Sequence, residues 1–492
     1  MATNAPRTLP LNDPTLLREQ AYLNGEWIAG KTSFTVTNPV DDAVIGSVPN
    51  MTVDDTQRAI DAAAAAFILW SAKTGKERAA VMRTWFDLLI ANATDLAIIM
   101  TAEQGKPLIE AKGEVMYGAS FLEWFAEEAK RVNGDVMAST WRDKRLVVLK
   151  QPIGVCAAIT PWNFPIAMIT RKVAPAIAAG CTIVIKPAEQ TPLSALAVAE
   201  LAHRAGLPPG VINIITADAE RSIEVGKLLC SSPTVRHLSF TGSTPVGRIL
   251  MQQCAPTVKK LALELGGHAP FIVFDDADLD AAVEGALQSK YRNAGQTCVC
   301  TNRFYAHESI YDAFVQKLAE GAAKIRVGDG TENGISQGPL IDDQAIAKVE
   351  EHVSDARAKG ATVVTGGKLH ALGGHFYEPT VLSNVTADMQ IMREETFGPV
   401  AAVMKFSSEQ EVIAAANNTE FGLASYFYSR DIGRVWRVAE QLEYGMVGIN
   451  TGLISNEVAP FGGVKQSGLG REGSKYGIDD YLEIKYLCMG GI

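Results

Sequence analysis

In this chain of 492 residues, Cys298 is the side chain best suited to act as a nucleophile. It lies in the run GQTCVC (295–300), where small and polar residues favour a loop. Glu264, in the run LELGG (263–267), could supply a carboxylate base to a reacting thiol. Covalent catalysis by sulfur uses such a pair. A free cysteine also packs as a small hydrophobic residue, so Cys298 alone allows a catalytic and a core interpretation.

The composition excludes several classes of protein. The net charge of −10 argues against a nucleic-acid partner, which needs a concentrated basic face. Seven cysteines are too few for a secreted disulfide framework, and no Cys/His cluster has zinc spacing, so we predict no metal site. The N-terminus lacks the apolar core of a signal peptide, and no run of about 18 apolar residues could span a membrane. We therefore expect a cytoplasmic protein without a membrane segment.

Two regions alternate between strands and helices. Long helices are predicted over 55–72, 77–104 and 107–131. The first alternation then has predicted strands at 155–160, 181–186, 211–216 and 235–242, with helices at 165–180, 191–206, 220–231 and 243–255. Short buried strands that alternate with helices are typical of a parallel, doubly wound sheet.

A second alternation follows from about residue 269 and predicts a second α/β domain. Its predicted strands include 361–366, 379–385, 400–406 and 446–450. Two further strands, 145–151 and 480–487, fit neither alternation. Extended apolar edge strands of this kind are usually covered. We predict that another subunit covers these two strands.

Three strand ends of the first region carry residues suited to a dinucleotide, namely TPWNFP (160–165), KPAE (186–189) and GSTPVG (242–247). Ligands of open parallel sheets bind beyond the carboxyl ends of the strands. Gly242 and Ser243 open a helix whose N–H groups suit a pyrophosphate, although a plain helix cap has the same letters. Lys186 and Glu189 could hold the hydroxyls of an adenine ribose, although a solvated charged turn has the same residues. A carboxylate there would repel a 2′-phosphate, which favours NAD over NADP.

Six motifs together resemble the aldehyde dehydrogenase superfamily in order and spacing. They are PWNFP (161–165), KPAE (186–189), FTGS (240–243), ELGG (264–267), GQTC (295–298) and EETFGP (394–399). The runs YRN (291–293), CVC (298–300) and SNEVAPFGG (455–463) are similar to the succinate-semialdehyde dehydrogenase branch. Glutarate-semialdehyde dehydrogenase is very close to that branch.

The resemblance implies a fold of three parts. These are a doubly wound, Rossmann-like NAD-binding domain (1–131 and 152–262), an α/β catalytic domain (263–468) and a small β oligomerisation domain (132–151 and 469–492). It also implies a homodimer or a homotetramer.

The resemblance further implies a covalent mechanism. Cys298 would attack the aldehyde carbon, and the Asn163 side-chain amide with the Cys298 backbone N–H would stabilise the oxyanion. After hydride transfer, Glu264 would activate the water that hydrolyses the thioester. The implied cofactor-binding residues are Thr160, Pro161, Trp162, Lys186, Ala188, Glu189, Gly242, Ser243, Glu395 and Phe397. NAD is expected to be preferred, with NADP possible.

The substrate implied by the branch is an aldehyde with a distal carboxylate. Arg171, Arg292 and Ser455 would bind the carboxylate, since a planar guanidinium pairs with two oxygens at once, and Phe164 and Phe461 would form pocket walls. Succinate semialdehyde, from 4-aminobutyrate breakdown, is the leading substrate. Glutarate semialdehyde and a broader range of aldehydes stay open, because one methylene changes binding by only about 1–3 kcal/mol.

Two further alternatives concern other roles for the chain and for Cys300. A catalytically silent protein of this fold would be expected to lose Cys298, Glu264 or Asn163, and all three are present.

Cys300 could form a disulfide with Cys298 that silences the nucleophile, as in some relatives, or it could simply pack in the core.

Overall fold

The computed structural model describes residues 8–492. Its α-helices are α1 (Val53–Ser71), α2 (Gly75–Ala91), α3 (Ala93–Gln104), α4 (Leu108–Glu128), α5 (Ala167–Ala179), α6 (Pro192–Arg204), α7 (Ala219–Ser231), α8 (Thr244–Cys254), α9 (Leu279–Tyr291), α10 (Tyr311–Ala322), α11 (Asp343–Ala358), α12 (Glu409–Asn417) and α13 (Ile432–Gln441).

The strands begin near the N-terminus and continue to the last described residues. They are β1 (Ala21–Leu23), β2 (Glu26–Ile28), β3 (Ser33–Thr37), β4 (Val44–Pro49), β5 (Asp135–Met137), β6 (Lys144–Pro152), β7 (Val155–Ile159), β8 (Thr182–Lys186), β9 (Ile212–Ile214), β10 (Val235–Thr241), β11 (Lys260–Glu264), β12 (Ala269–Val273), β13 (Thr301–His307), β14 (Thr362–Thr365), β15 (Thr380–Ser383), β16 (Val400–Phe406), β17 (Ala424–Tyr428), β18 (Met446–Ile449), β19 (Gly468–Leu469) and β20 (Leu482–Gly490).

The first sheet has the order β19-β11-β10-β7-β8-β9-β1-β2. Its centre is parallel, as predicted, and the short strands at both edges are antiparallel. Thr241 of β10 pairs with Glu264 of β11, and Ile159 of β7 pairs with Phe240. The carboxyl ends of β7, β10 and β11 therefore meet at one edge of the sheet, and the residues that follow these strands lie close together.

The second sheet has the order β14-β15-β16-β13-β12-β17-β18. It is parallel except for β14 at its edge. The run ASYFY of β17 was not predicted as a strand, although all five residues are buried beside β12. A short apolar run fits a buried strand and a buried helix segment equally well, so periodicity alone does not decide between them.

The third sheet consists of β20, β6 and β5. The two unassigned strands of the sequence do pair, antiparallel, over the full length of β20. The predicted domain boundaries at 151/152, 262/263 and 468/469 fall inside β6, β11 and β19. The division into three functional domains stays a prediction at this stage.

The single helix predicted over 77–104 is wrong, because the chain forms α2 and α3 there. Asn92 separates them with φ −104° and ψ 15°, and its side-chain amide donates to the Leu88 carbonyl at 2.8 Å. Asparagine bonds to nearby backbone in this way and so competes with helix continuation. Within residues 8–492 no single helix is long and apolar enough to cross a membrane. The helices α2 and α3 meet the criteria of length and apolar composition only as a pair, and the pair is bent by 70°.

Candidate active site

A cavity of ≈ 300 Å³ lies between the carboxyl ends of the first sheet and the loop that precedes β13. The predicted site residues that line it are Pro161, Trp162, Asn163, Phe164, Arg171, Gly242, Ser243, Arg292, Cys298, Glu395, Phe397, Ser455 and Phe461. The predicted residues outside its lining are Thr160, Lys186, Ala188, Glu189 and Glu264.

The loop of Cys298 begins with a left-handed turn. Asn293, Ala294 and Gly295 have φ values of 50°, 55° and 77°. A side chain at Gly295 would place its Cβ 2.2 Å from the Gly398 carbonyl oxygen, so only glycine fits. Non-glycine residues rarely adopt this conformation, and such strain is concentrated at functional sites.

Gln296 fixes the loop from inside the protein. Its side-chain nitrogen donates to the Asn293 carbonyl at 3.1 Å, and its side-chain oxygen accepts from the Ile341 N–H at 3.0 Å. These bonds hold Cys298 at the cavity wall.

Burial raises the pKa of the Cys298 thiol to about 12, although the charge of Arg171 acts in the opposite direction. Glu264 raises this pKa further. The thiolate is the reactive form of cysteine, so at neutral pH the nucleophile needs a base to take its proton.

Glu264 ends β11 outside the cavity lining, and it is close enough to Cys298 for its charge to raise the pKa of the thiol. It is 2% exposed, and neither carboxylate oxygen has a hydrogen-bond partner within residues 8–492. Burial, followed by the charge of Glu472, raises the pKa of Glu264 well above its usual value. A raised pKa makes the ionised carboxylate a stronger base, which suits Glu264 to proton transfer.

Asn163 follows β7 and lies at the opposite side of the loop. Its side-chain nitrogen donates to the Gln296 carbonyl at 3.0 Å. Its own carbonyl accepts from Lys106 Nζ at 2.7 Å and from the Asn293 amide at 3.1 Å. The Asn163 amide is therefore held beside Cys298, where it can donate to an oxygen in the cavity.

Arg171 lies on α5 and is 1% exposed. Its guanidinium stacks on Phe461, 4.1 Å from the ring centre, and forms an ion pair with Glu472. Glu472 also pairs with Lys172. Glu472 is buried, and no sequence motif marks it, although it falls within the predicted oligomerisation segment 469–492.

Arg292 supplies the second cavity guanidinium. It lies 5.3 Å from the centre of the Phe164 ring and forms no ion pair within residues 8–492. Ser455 lines the same cavity. Arg171 has a directly paired counter-ion inside the protein, whereas Arg292 has no direct ion pair within residues 8–492 and interacts only at longer range with Glu110.

Tyr117 and Lys348 also line the cavity, and we did not anticipate them. The Tyr117 hydroxyl is buried without a hydrogen bond of good geometry, and burial raises its pKa despite the neighbouring Arg171. Lys348 lies on α11, and its charge lowers the pKa of Glu395. Helices distant in the sequence bring both residues to the site, so no local motif marks them.

Several residues at one end of the cavity fit a dinucleotide. Ser243 begins α8 without using its side chain to cap the helix, so the helix N-terminus is free to meet a phosphate. Trp162 and Phe397 form an edge-to-face pair with ring centres 5.6 Å apart. Glu395 accepts one hydrogen bond, from the Gly267 N–H at 3.1 Å. Burial raises the pKa of Glu395 to about 7.

The adenosine end predicted from the sequence lies beyond this cavity. Lys186 ends β8, is buried, and pairs with Glu189 at 3.3 Å. Ala188 and Thr160 are also buried, and the Thr160 hydroxyl has no hydrogen-bond partner within the described residues. Glu189 is partly exposed, which leaves its carboxylate available to a ligand.

Cys300 lies in the protein interior. It is 1% exposed, and its thiol donates to the Lys290 carbonyl at 3.4 Å. All seven cysteines are free. This arrangement favours the core-packing interpretation of Cys300.

The model of the aldehyde dehydrogenase family matches residues 27–487. The chain belongs to the aldehyde dehydrogenase family. The resemblance and the α/β fold class predicted from the sequence are confirmed, and the protein is an NAD(P)-dependent enzyme that acts on aldehydes.

Close relatives carry more specific names. Glutarate-semialdehyde dehydrogenase of Pseudomonas aeruginosa is 64% identical, with 98% of this chain and 100% of the relative covered. Succinate-semialdehyde dehydrogenase [NADP(+)] of Escherichia coli is 62% identical, with the same coverage. The crystal structure of succinate-semialdehyde dehydrogenase from Burkholderia pseudomallei has a TM-score of 0.97 and 65% identity, with 98% and 100% covered.

The raised pKa of Cys298 predicts a steep dependence of its reactivity on pH. Without cofactor, inactivation by iodoacetamide should accelerate about tenfold per pH unit from pH 7 to 10, because the thiolate fraction rises in that proportion. The measurement is the rate of activity loss at each pH, with Cys488→Ser as a control that removes the exposed thiol. A plateau near pH 8 would contradict the assignment.

Proposed function

We propose that this enzyme oxidises succinate semialdehyde to succinate, with NAD as the preferred cofactor. The observation that carries the proposal is a single cavity with the Cys298 thiol and the Asn163 amide in its wall and the unpaired charge of Arg292 beside them. An aldehyde with a distal carboxylate has the complementary chemistry. A role in 4-aminobutyrate breakdown and a reducing, cytoplasmic location follow as parts of the same proposal.

The reaction begins at the Cys298 sulfur. Glu264 takes the thiol proton, and the thiolate forms a C–S bond to the aldehyde carbon while the carbonyl oxygen becomes an oxyanion. The Asn163 amide and the Cys298 N–H stabilise that oxyanion, and each such donor is worth about 3–4 kcal/mol. Once Glu264 has passed the thiol proton to solvent and hydride loss has left a thioester, Glu264 takes a proton from the water that attacks the thioester carbon. The C–S bond then breaks to release the acid, and the Cys298 sulfur takes the proton from Glu264.

The residues that would hold NAD(P) are those described at one end of the cavity and beyond it. Gly242 and Ser243 would bind the pyrophosphate, and Glu395 the hydroxyls of the nicotinamide ribose beside Phe397. When bound, the nicotinamide accepts the hydride from the substrate carbon. Trp162 would exclude water from this part of the site.

Arg292 is the better residue to test for substrate recognition. Arg171→Ala would also remove one of the two cations that pair with the buried Glu472 carboxylate. We expect Arg292→Gln to raise KM for succinate semialdehyde about 10- to 100-fold, since hydrogen bonds to charged groups are worth about 1.5–3 kcal/mol. KM for butanal, which lacks a carboxylate, should stay within about twofold. Initial rates of both proteins on both aldehydes give the result.

The same assays test the proposed function itself. The wild type should have a higher kcat/KM for succinate semialdehyde than for butanal. Equal values for the two aldehydes would contradict the proposal, and equal losses in Arg292→Gln would exclude Arg292 from substrate recognition.

Glutarate semialdehyde is the second candidate substrate. The 64% identical Pseudomonas aeruginosa relative carries that name and favours it. The substrate is one methylene longer, and the same arginines would bind its carboxylate. Including it in the rate comparison ranks the two candidates.

The proposed preference for NAD rests on Glu189. Its partly exposed carboxylate, oriented by Lys186, can accept bonds from two ribose hydroxyls but repels a phosphate in the same position. The 62% identical Escherichia coli relative is named for NADP(+), so the residue that decides the preference has to be tested in this chain.

Glu189→Ser should raise kcat/KM with NADP at least about tenfold and lower it with NAD. Two like charges 4 Å apart near a protein surface repel each other by about 4 kcal/mol. A change of about 1.4 kcal/mol already alters an affinity tenfold. The control is Glu220→Ser, which removes an exposed carboxylate from α7. An unchanged ratio of the two cofactors in Glu189→Ser would refute the assignment.

We also propose that the third sheet joins subunits in a homodimer or a homotetramer. Large apolar side chains are exposed on it, among them Val136 at 81% and Ile484 at 71%. Exposed apolar strands of this kind normally pair with or pack against another chain. The domain division predicted above is part of this proposal, with Leu482–Gly490 as the strand at the interface.

Ile484→Lys should lower the molar mass measured by light scattering at a fixed protein concentration, because it places a charge in the subunit contact. Ile223→Lys on α7 is the matched control, since Ile223 is 70% exposed and lies outside this sheet. An assembly that is unchanged in Ile484→Lys and broken in the control would place the interface elsewhere.

A further inference from the structure

Lys106 and Glu114 form a buried ion pair behind the active-site loop. Lys106 follows α3, Glu114 lies in α4, and both side chains are 1% exposed. A buried ion pair often adds little stability, because desolvation offsets much of the attraction. The other contacts of the pair are therefore the best guide to its role.

Lys106 contacts Asn163 and Phe164, two consecutive residues in the loop after β7. Its ammonium donates to the Asn163 carbonyl at 2.7 Å. It also lies 4.0 Å from the centre of the Phe164 ring. The ammonium thus holds the backbone of the proposed oxyanion donor and packs against a wall of the cavity.

Glu114 holds the next part of the same segment. One carboxylate oxygen accepts from the N–H groups of Ile166 at 2.9 Å and Ala167 at 3.2 Å. These groups begin α5, where no side chain of the helix itself provides a cap. A negative charge at a helix N-terminus is favourable, so Glu114 fixes the start of the helix that carries Arg171.

The same corner between α3 and α4 also holds the turn before Cys298. The Asn293 N–H donates to Glu110 at 2.9 Å, and Gln104 donates to the Asn293 side-chain oxygen at 3.1 Å. The Asn293 amide in turn donates to the Asn163 carbonyl. The segment of Asn163 and the turn before Cys298 are thus both hydrogen-bonded to the same corner between α3 and α4.

We infer that Lys106, together with Glu114, is a positioning residue for the Asn163 amide. This inference rests on the proposed function, in which that amide stabilises an oxyanion. Such a donor acts at 2.7–3.1 Å from the oxygen, and a displacement of about 1 Å can reduce the rate about 100-fold. Without the ammonium, the Asn163 carbonyl would keep only its bond from Asn293 among residues 8–492.

The test uses the double variant Lys106→Met/Glu114→Gln. Removing both charges avoids an unpaired buried carboxylate, which would destabilise the fold, and glutamine keeps an acceptor for the start of α5. We expect kcat with succinate semialdehyde to fall about 100-fold, while the Kd for NADH and the Tm change little. A kcat equal to that of the wild type would overturn the inference.

A double-mutant cycle with Asn163→Ala separates positioning from general loosening. In the Asn163→Ala background the same two substitutions should lower kcat less than about threefold, because the amide that they position is already absent. A further loss of about 100-fold in that background would show independent effects and refute the positioning role. If Asn163→Ala alone left kcat unchanged, the proposed role of Asn163 would fail as well.

Glu103→Gln is the matched control. Glu103 is a buried carboxylate of α3 that accepts from the N–H groups of Leu193 and Ser194, both at 2.8 Å, at the start of α6. It caps a helix of the same layer as Glu114 does, but it does not contact the Asn163 segment. Its kcat should match the wild type, and an equal loss in this variant would attribute the effect to the helix layer as a whole.

Discussion

The hydrogen bonds between the Asn163 segment and the loop of Cys298 are the contact on which the site depends. Asn163 follows a strand of the first sheet, and Cys298 precedes a strand of the second. The bond from the Asn163 amide to the Gln296 carbonyl, at 3.0 Å, joins the two segments directly. The two sheets could each be well formed without this contact, but the amide and the thiol would then not face the same cavity.

Burial of charge is the second constraint. Arg171 and Lys172 lie in the interior with Glu472 as their shared partner. Glu264 is close enough to feel their charges, and its carboxylate has no hydrogen bond in the part of the chain that the structure describes. Buried charges are tolerated when they are paired, and the unpaired carboxylate responds with a raised pKa. The low polarity that makes Glu264 a better proton acceptor also raises the pKa of the Cys298 thiol. The proposed nucleophile and its proposed base thus share one environment, and Arg292, which has no direct ion pair within residues 8–492, is the proposed partner of the substrate carboxylate.

The organisation of the fold was largely predictable from the sequence. Alternating buried strands and helices predicted two α/β regions, and the edge strands 145–151 and 480–487 do pair with each other. The break at Asn92 and the strand Ala424–Tyr428 were missed, because local propensity does not distinguish a bent helix from a straight one or a short buried strand from a helix segment. Cys298 was singled out because small, polar, loop-forming residues surround it, and the predicted roles of Asn163 and Cys298 came from the resemblance of their motifs to the family.

The family and the fold class could be predicted from the order and spacing of local motifs, which also marked the candidate reactive groups. The residues that surround those groups are known only from the packing of the folded chain. Glu472 neutralises Arg171 from a segment that we expected at a subunit interface, and Lys106, Tyr117 and Lys348 reach the site from separate helices. The physical reason is that a pKa, an ion pair or an oriented amide depends on distances between distant parts of the chain, which packing sets and local sequence does not encode.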